Sequence, residues 1–259
     1  MMRSTLSRCV NVSLAAYPGM FFHEALEQIR KTPPMEPLLG KLSVAEIQLC
    51  PQNRGVMTES YVDHLRETYP DSRLRLHANV RVLPDRYLCD WSNWRADSAY
   101  WRTLASVSKR LDAPAYIAHA GRRCEADLPT LFDNVRRAAD QFECDVGIEG
   151  HFPTVHDTFL VSSWEEYRQL FESGIGYALD LSHLHILAEQ SRRRELTLVQ
   201  EMLACERCVE VHLSGNDGIF DQHHMLVDTP WWWSAMDYVH DGATVFSEGK
   251  QRLLTSMKA

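Results

Sequence analysis

Nine side chains that can bind metal ions stand where short apolar runs of this sequence end. They are five histidines and four carboxylates: His77, His119, Glu149, Asp180, His183, His212, Asp221, His223 and Glu248. A catalytic metal needs imidazole and carboxylate ligands that converge from different segments and leave room for water or substrate. The carboxyl ends of parallel strands meet in this way. The spacing therefore predicts one metal site built from many segments.

Two stretches carry the strongest local signals. In Leu179–His183 an aspartate ends a predicted strand and a histidine follows in what we predict to be a turn. In His212–His223 a strand-end histidine is followed by a loop that contains Gly215 and Gly218 and ends in a DxH motif. Glycine permits the tight turns that would fold this loop over the site.

The elements that must position these residues alternate between strand and helix. Apolar runs of strand length lie at 10–15, 44–49, 74–78, 115–119, 146–149, 177–181, 209–213 and 244–246. Segments with helical period separate the early runs, and the later connections predict helices after Ser163, over 195–204 and over roughly 231–240. A glycine-rich dinucleotide fingerprint is absent. We therefore predict an α/β protein, a single (β/α)8 TIM barrel over residues 1–259, with all nine side chains at its catalytic face.

At these motifs the chain resembles the xylose isomerase-like barrels, a superfamily that includes sugar phosphate isomerases, epimerases and endonuclease IV. The matching stretches are LRLHA, YIAHAG, GIEG, ALDLSHL, VEVHLSGNDG, FDQH and VFSEG. In the endonuclease IV branch these positions hold three zinc ions. The resemblance assigns one ion to His77, His119 and Glu149. It assigns a second to Glu149, Asp180, His212 and Glu248, and a third to His183, Asp221 and His223.

The isomerase branch implies a different use of the same positions. One ion would lie among Glu149, Asp180, His212 and Glu248, and some members place a second ion at the positions of His183 and the DxH motif. His77 and His119 would touch substrate instead. Two departures count against DNA repair. The loop after the seventh strand is SGNDG, where endonuclease IV has an asparagine–aspartate pair directly after the histidine, and no basic loop follows the second strand.

Three reactions suit this arrangement. We favour an isomerase or epimerase that acts on a small hydroxylated or carbonyl compound of the sugar or sugar-phosphate kind through metal-assisted proton or hydride transfer, with Glu149 and Glu248 as its catalytic pair. The alternatives are endonuclease IV-like phosphodiester hydrolysis and oxidation by a multinuclear iron centre. The expected cofactors are two or three divalent ions: zinc, manganese or iron. A metal-stabilised scaffold protein would have closed metal sites, which the pattern disfavours.

Six further residues are candidates for contacts to the substrate. Arg122 and Arg123 follow His119 and could hold a phosphate or carboxylate, and Lys250 follows Glu248. The remaining three are aromatic or histidine side chains near the expected mouth: His23, His151 and Trp231.

Strand alternation predicts a charged network inside the barrel. If His212 points inward, so does Glu210, and if His77 points inward, so does Arg75. Buried charges are costly unless they are paired. We therefore expect Arg75 and Glu210 to form an interior ion pair, with Asp145 as a further candidate member.

The composition sets broad limits on location and partners. A net charge of −8 disfavours a general nucleic-acid binder. No secretory or membrane-spanning segment stands out, so we expect a cytoplasmic protein with a small-molecule substrate, and homo-oligomer formation stays open. The seven cysteines are scattered, which indicates reduced thiols, and the single CxxC at 205–208 lacks the second pair that a structural zinc site needs.

Overall fold

Eight parallel strands form the centre of the protein. In the computed structural model, which describes residues 8–85, 88–96 and 98–251, every apolar run of strand length contributes one strand. The strands are β1 Val10–Ser13, β2 Ser43–Leu49, β3 Arg73–Leu76, β4 Ala115–His119, β5 Asp145–Glu149, β6 Gly176–Asp180, β7 Cys208–Leu213 and β8 Thr244–Ser247. The ends of the predicted 1–259 domain, residues 1–7 and 252–259, lie outside the described residues.

The sheet curls into a nearly closed barrel. Its order is β3-β2-β1-β8-β7-β6-β5-β4, so the two edge strands are consecutive in the chain. Among the described residues, backbone pairing joins every neighbouring pair except β3 and β4. The predicted (β/α)8 TIM barrel is confirmed, with a seam between β3 and β4.

Helices surround the barrel. They are α1 Phe22–Lys31, α2 Glu59–Thr68, α3 Ser98–Arg110, α4 Leu128–Phe142, α5 Trp164–Glu172, α6 Leu181–Ser191 and α7 Leu196–Ala204. Their apolar faces join the strands in one continuous core. No helix in the described ranges is long and apolar enough to cross a membrane.

Short polar side chains set where several helices begin. Asp127 accepts a hydrogen bond from the backbone N–H of Thr130 at the start of α4, and Ser163 does the same for Glu166 at the start of α5. Such contacts satisfy N–H groups that have no partner within the helix. The spacing of Ser163 and Glu166 is that of a capping box, but only half of it forms, because the Glu166 carboxylate accepts from the N–H of Ser162 instead of Ser163.

The sequence prediction was wrong for two connections. His183 lies in the first turn of α6 rather than in a turn, because Asp180 caps this helix by accepting from the N–H groups of Ser182 and His183. The segment predicted as a helix over 231–240 is a 3-10 helix over Trp233–Tyr238. The N-cap residue of this 3-10 helix, Trp232, makes no side-chain hydrogen bond, and Pro230 lies two residues before it. A longer α-helix therefore lacks an N-terminal cap.

A small hairpin packs on the outer side of β8. It pairs Met35–Glu36 with Gly40–Lys41 between α1 and β2. The carboxylate of Glu36 is buried and accepts hydrogen bonds from the hydroxyl of Ser247 and the N–H of Leu226. The hairpin therefore fastens the loop after β7 to the end of β8.

Charged side chains occupy the barrel interior as predicted. Arg75 donates to Glu210 at 2.8 Å, and both side chains are almost fully buried. Arg75 also contacts Glu46 and donates to the hydroxyl of Thr244 at 3.2 Å. The prediction was wrong for Asp145, which is exposed as the first residue of β5. Its carboxylate reaches solvent at the amino end of the strand and therefore needs no partner in the buried network.

Candidate metal centre

The barrel mouth gathers all nine predicted metal ligands. Six stand in or directly after strands, at the carboxyl ends of β3 to β8, and the other three lie in α6 and in the loop after β7. All are buried except His119 and Asp221, which are partly exposed. The placement follows from the fold, since parallel strands of one barrel end on one face.

Glu149 is the centre of the group. One of its carboxylate oxygens, Oε2, lies 3.6 Å from Nε2 of His77 and 3.4 Å from Nδ1 of His212. The other oxygen lies 3.7 Å from Nε2 of His119 and 3.8 Å from Nδ1 of His183. Four histidines from four elements thus face one carboxylate.

A second set of contacts surrounds His183. Its Nδ1 lies 2.8 Å from the carbonyl oxygen of Gly150, which can only accept a hydrogen bond, so Nδ1 carries the proton. Its Nε2 then faces Asp180 at 3.4 Å and Asp221 at 3.7 Å. Second ring nitrogens of metal-bound histidines are commonly held in this way.

The loop after β7 completes the group. His223 Nε2 lies 2.9 Å from Asp221 and 3.6 Å from Glu248. His223 adopts a left-handed backbone conformation, with φ of 51°. A β-unbranched residue tolerates this conformation at some cost, and functional sites often retain such strain.

The separations between donor atoms have the length expected across a metal ion. Two ligands about 2.1 Å from one tetrahedral zinc are about 3.4 Å apart. The contacts of Glu149 with His77, His119 and His212 range from 3.4 to 3.7 Å, which is at or beyond the limit of a hydrogen bond. Three groups of side chains have ligand atoms within 4.8 Å of one another: His77–His119–Glu149, His77–His212–Glu248 and Glu149–Asp180–His183.

Two buried atoms provide a test of whether a cation suits this site. Glu149 Oε2 and His212 Nδ1 are buried, lie 3.4 Å apart and, among the described residues, make no hydrogen bond. Leaving buried polar atoms without a partner is costly. A cation between them would satisfy both, so the donor set fits a metal ion.

The electrostatics of the site separate its two central glutamates. Burial alone would raise the pKa of Glu149, but His212, His119 and His77 hold it well below its ordinary value. The pKa of Glu248 is raised, chiefly by burial, although His223 and His212 oppose the change. One carboxylate is therefore held ionised while the other takes up a proton more readily.

The pKa values of the histidines are also shifted in opposite directions. Burial lowers the pKa of His77 to about 3, which keeps its ring neutral. For His212 burial acts in the same direction, but the carboxylates of Glu149 and Glu210 raise its pKa well above the ordinary value. Asp180 and Asp221 have the same effect on the pKa of His183 against its burial.

Solved structures share this architecture. A D-tagatose 3-epimerase-like protein superposes with a TM-score of 0.67 at 14% identity, over 97% of this chain and 94% of that one. An AP endonuclease, family 2, from Brucella melitensis has a TM-score of 0.60 at 15% identity, over 94% and 93%. The TTHB071 protein from Thermus thermophilus, soaked with ZnCl2, has a TM-score of 0.57 at 16% identity, over 97% of each chain. The chain has the xylose isomerase-like TIM-barrel fold. No protein-family model and no curated protein matches its sequence.

Within this xylose isomerase-like fold, two residues that the sequence analysis missed lie behind the ligands. The amide nitrogen of Gln48, on β2, lies 3.4 Å from His77 Nδ1 and 3.1 Å from His212 Nε2. Asp90, in the connection between β3 and α3, lies 3.6 Å from His119 Nδ1. Strand alternation could have revealed Gln48, which shares the inward face with Arg75, its partner in the strand register. No comparable signal marks Asp90.

His151 lines the wall of the barrel mouth. Its ring stacks on His119 at 4.9 Å and on Phe159 at 4.1 Å, and the side chain is buried. Its Nε2 makes no hydrogen bond within the described structure. Burial, together with the charges of His119 and His183, keeps the pKa of His151 well below its ordinary value. A neutral ring with an unused nitrogen suits its predicted role as a substrate contact.

Some of the other predicted substrate contacts have partners outside the metal cluster, and some do not. Arg123 forms an ion pair with Glu166 at 2.5 Å, whereas Arg122 is exposed. Trp231 packs against Trp164 and lies under Arg194 in the helical layer, so its ring contacts are outside the cluster. Two remain near the mouth loops: His23 is exposed and stacks on Phe21, and Lys250 is partly buried with its N–H donating to the carbonyl of His223.

Proposed function

We propose that this protein is a metal-dependent isomerase or epimerase of a small sugar-like carbonyl compound. The observation that carries the proposal is the group of buried imidazole and carboxylate donors at the barrel mouth, which includes Glu149 and Glu248. In the metal-free protein the pKa of Glu149 is shifted downward and that of Glu248 upward. Titratable groups whose environments push their pKa values apart are typical of paired acid and base roles. The epimerase-like neighbour agrees with this reaction class.

The ligand set defines where an ion would act. Glu149, Asp180, His212 and Glu248 would hold a divalent ion, which would polarise the substrate carbonyl and chelate the neighbouring oxygen. We assign Glu248, a buried carboxylate of the same mouth, to move a proton at the carbon beside the carbonyl. Nε2 of His223 lies 3.6 Å from that same carboxylate.

The wall of the mouth suggests how substrate would be held. His151 offers a neutral ring nitrogen to a hydroxyl group. Arg122 is the nearest exposed cation after β4, and we assign it to a phosphate or carboxylate of the substrate, since Arg123 is engaged by Glu166. The burial of the ligands limits the entry of bulk water to the reacting groups.

Deuterium incorporation tests the reaction class. The protein would be loaded with Mn²⁺, Zn²⁺ or Fe²⁺ and incubated in D₂O with ketoses, ketose phosphates and their aldose isomers, and the products followed by NMR. We expect deuterium at the carbon beside the carbonyl together with an isomer or epimer. Glu248→Gln should abolish the exchange, whereas Glu165→Gln, at an exposed carboxylate of α5, should not. Absence of any isomer or epimer with every sugar and every metal would contradict the proposal, whereas an isomer formed without deuterium would indicate hydride transfer in place of proton transfer.

One observation favours a second function, endonuclease IV-like hydrolysis of phosphodiesters. His77, His119 and Glu149 form a compact donor group of their own, as a third ion would require. The AP endonuclease neighbour has the same fold. Hydrolysis of bis(p-nitrophenyl) phosphate or of an abasic-site duplex by the zinc-loaded protein, without sugar isomerisation, would favour this function. Oxygen consumption by the iron-loaded protein would indicate the oxidase alternative.

A further inference from the structure

His212 has one nitrogen toward the candidate metal centre and the other toward the barrel interior. Its Nδ1 lies 3.4 Å from Glu149, and its Nε2 lies 3.0 Å from the carboxylate of Glu210. His212 is 0% exposed and Glu210 is 1% exposed. A histidine can bind a metal only through a nitrogen that carries no proton. The partner of Nε2 therefore decides whether Nδ1 is available.

The Glu210 carboxylate is fixed from two sides. Arg75 donates to Oε1 at 2.8 Å, and the amide of Gln48 donates to Oε2 at 3.0 Å. Arg75 is itself held by Thr244 and Glu46 and lies over the ring of Phe246. An ionised carboxylate has only acceptor sites, so the proton between Glu210 and His212 belongs to Nε2. The Gln48 amide nitrogen is 3.1 Å from the same Nε2, and its two hydrogens are directed to Glu210 and to Nδ1 of His77.

We infer that Glu210, held in place by Arg75, is a positioning residue that fixes His212 in the tautomer whose Nδ1 binds the metal ion. The inference rests on the proposed metal-dependent function. It also explains why two charged side chains occupy the barrel interior, where well-packed apolar residues would often stabilise a protein as well or better. Carboxylates behind metal-bound histidines orient the ring and strengthen the ligand.

The amide variant Glu210→Gln tests this directly, because it nearly preserves shape but changes the hydrogen-bonding groups. Arg75 can donate only to the amide oxygen, which leaves the NH₂ group facing His212 Nε2. That nitrogen must then accept, and the proton moves to Nδ1, where it blocks the metal. We expect the affinity for one ion equivalent to fall about 10- to 100-fold.

The measurement is Zn²⁺ titration by isothermal calorimetry with metal content by mass spectrometry. Glu166→Gln is the matched control, since it removes another buried carboxylate paired with an arginine, Arg123, outside the cluster. The control should bind zinc as the wild type does. Wild-type affinity and stoichiometry in Glu210→Gln would overturn the inference.

A second measurement needs no variant at Glu210. In zinc-loaded wild-type protein labelled with ¹⁵N-histidine, the resonance removed by His212→Gln should show a protonated Nε2 and a metal-bound Nδ1. The opposite tautomer would overturn the inference even if Glu210→Gln does not fold. If the wild type binds no metal, the proposed function fails as well. If it binds metal normally but does not isomerise sugars, the inference about Glu210 stands alone.

Discussion

On each side of Glu149 a histidine is followed by a second carboxylate, but the two histidines differ in how closely they are held. On one side His212 is fully buried, and its second nitrogen lies 3.0 Å from Glu210, a strand residue held by Arg75. On the other side the His119 side chain is 22% exposed, and its second nitrogen lies 3.6 Å from Asp90.

The two outer carboxylates differ because their elements differ. Glu210 lies within β7 and shares the inward face with His212, two residues away. Asp90 lies in the connection between β3 and α3, where the amide of Asn79 donates to it at 2.9 Å. Side chains on strands are held more precisely than side chains on loops. The comparison predicts a tight ion on the His212 side and a weaker, more exchangeable ion on the His119 side.

Glu149→Gln should have the largest effect, because Glu149 is common to both sides. A neutral amide in contact with four histidines lacks the charge that an ion needs, so we expect loss of at least two ion equivalents. Metal content after gel filtration checks this, with Glu165→Gln as the exposed control. Full retention of metal would remove Glu149 from the centre of the site.

His119→Ala should affect one side alone. We expect the loss of about one ion equivalent, while the ion on the His212 side keeps its affinity, because Nε2 of His119 faces only one oxygen of Glu149. Titration with a chelator should remove this same equivalent first from the wild type. Unchanged metal content with weakened turnover would instead make His119 a substrate contact.

Asp90→Asn should have a smaller effect on that same ion. Loss of the charge behind His119 weakens its orientation, and we expect affinity to fall about 10-fold at one equivalent. In the double variant with His119→Ala, Asp90→Asn should add nothing further. A further loss in the double variant would show that Asp90 acts elsewhere in the protein.

We expect the smallest effect in how the stability of the metal-free, chelator-treated protein depends on pH. The carboxylates of Glu248 and Asp221 raise the pKa of His223 to about 9 although its burial opposes this. A histidine whose folded pKa lies above the unfolded value of about 6.5 stabilises the fold below pH 6.5 and loses this contribution as pH rises toward 9.

The melting temperature of the metal-free protein should therefore fall by a few degrees between pH 6.5 and 9. His223→Gln should flatten this part of the profile, measured by differential scanning fluorimetry. Since ions and protons compete for the same nitrogens, the gain in melting temperature on adding zinc should grow over the same range. A stability that rises with pH in the absence of metal would contradict the role assigned to His223.

The sequence predicts most of this fold for identifiable reasons. The eight strands follow from apolar runs bounded by polar residues, and the ion pair of Arg75 with Glu210 follows from strand alternation. Six of the nine candidate ligands share a face because they end parallel strands, and the other three follow in α6 and in the loop after β7. Prediction failed at α6, where a cap formed by the ligand Asp180 starts a helix directly at the strand end.

Contacts between distant segments account for the rest. Asp90 reaches His119 through a long connection whose path depends on Asn79, held in a left-handed conformation with φ of 62°. Arg123 appeared suited to substrate, yet Glu166, 43 residues later, engages it. Local sequence cannot supply such pairings because they depend on how the loops cross above the barrel.

An ion on the His119 side would lie at the seam between β3 and β4. His77 follows β3 and His119 ends β4, the two neighbouring strands that the described backbone does not pair, and their rings lie 5.5 Å apart. An ion bound by both histidines would link these strands where hydrogen bonds do not, and would close the barrel at the seam. Removing it would let the edge amides of β3 and β4 exchange their hydrogens faster, with the other six strands unchanged.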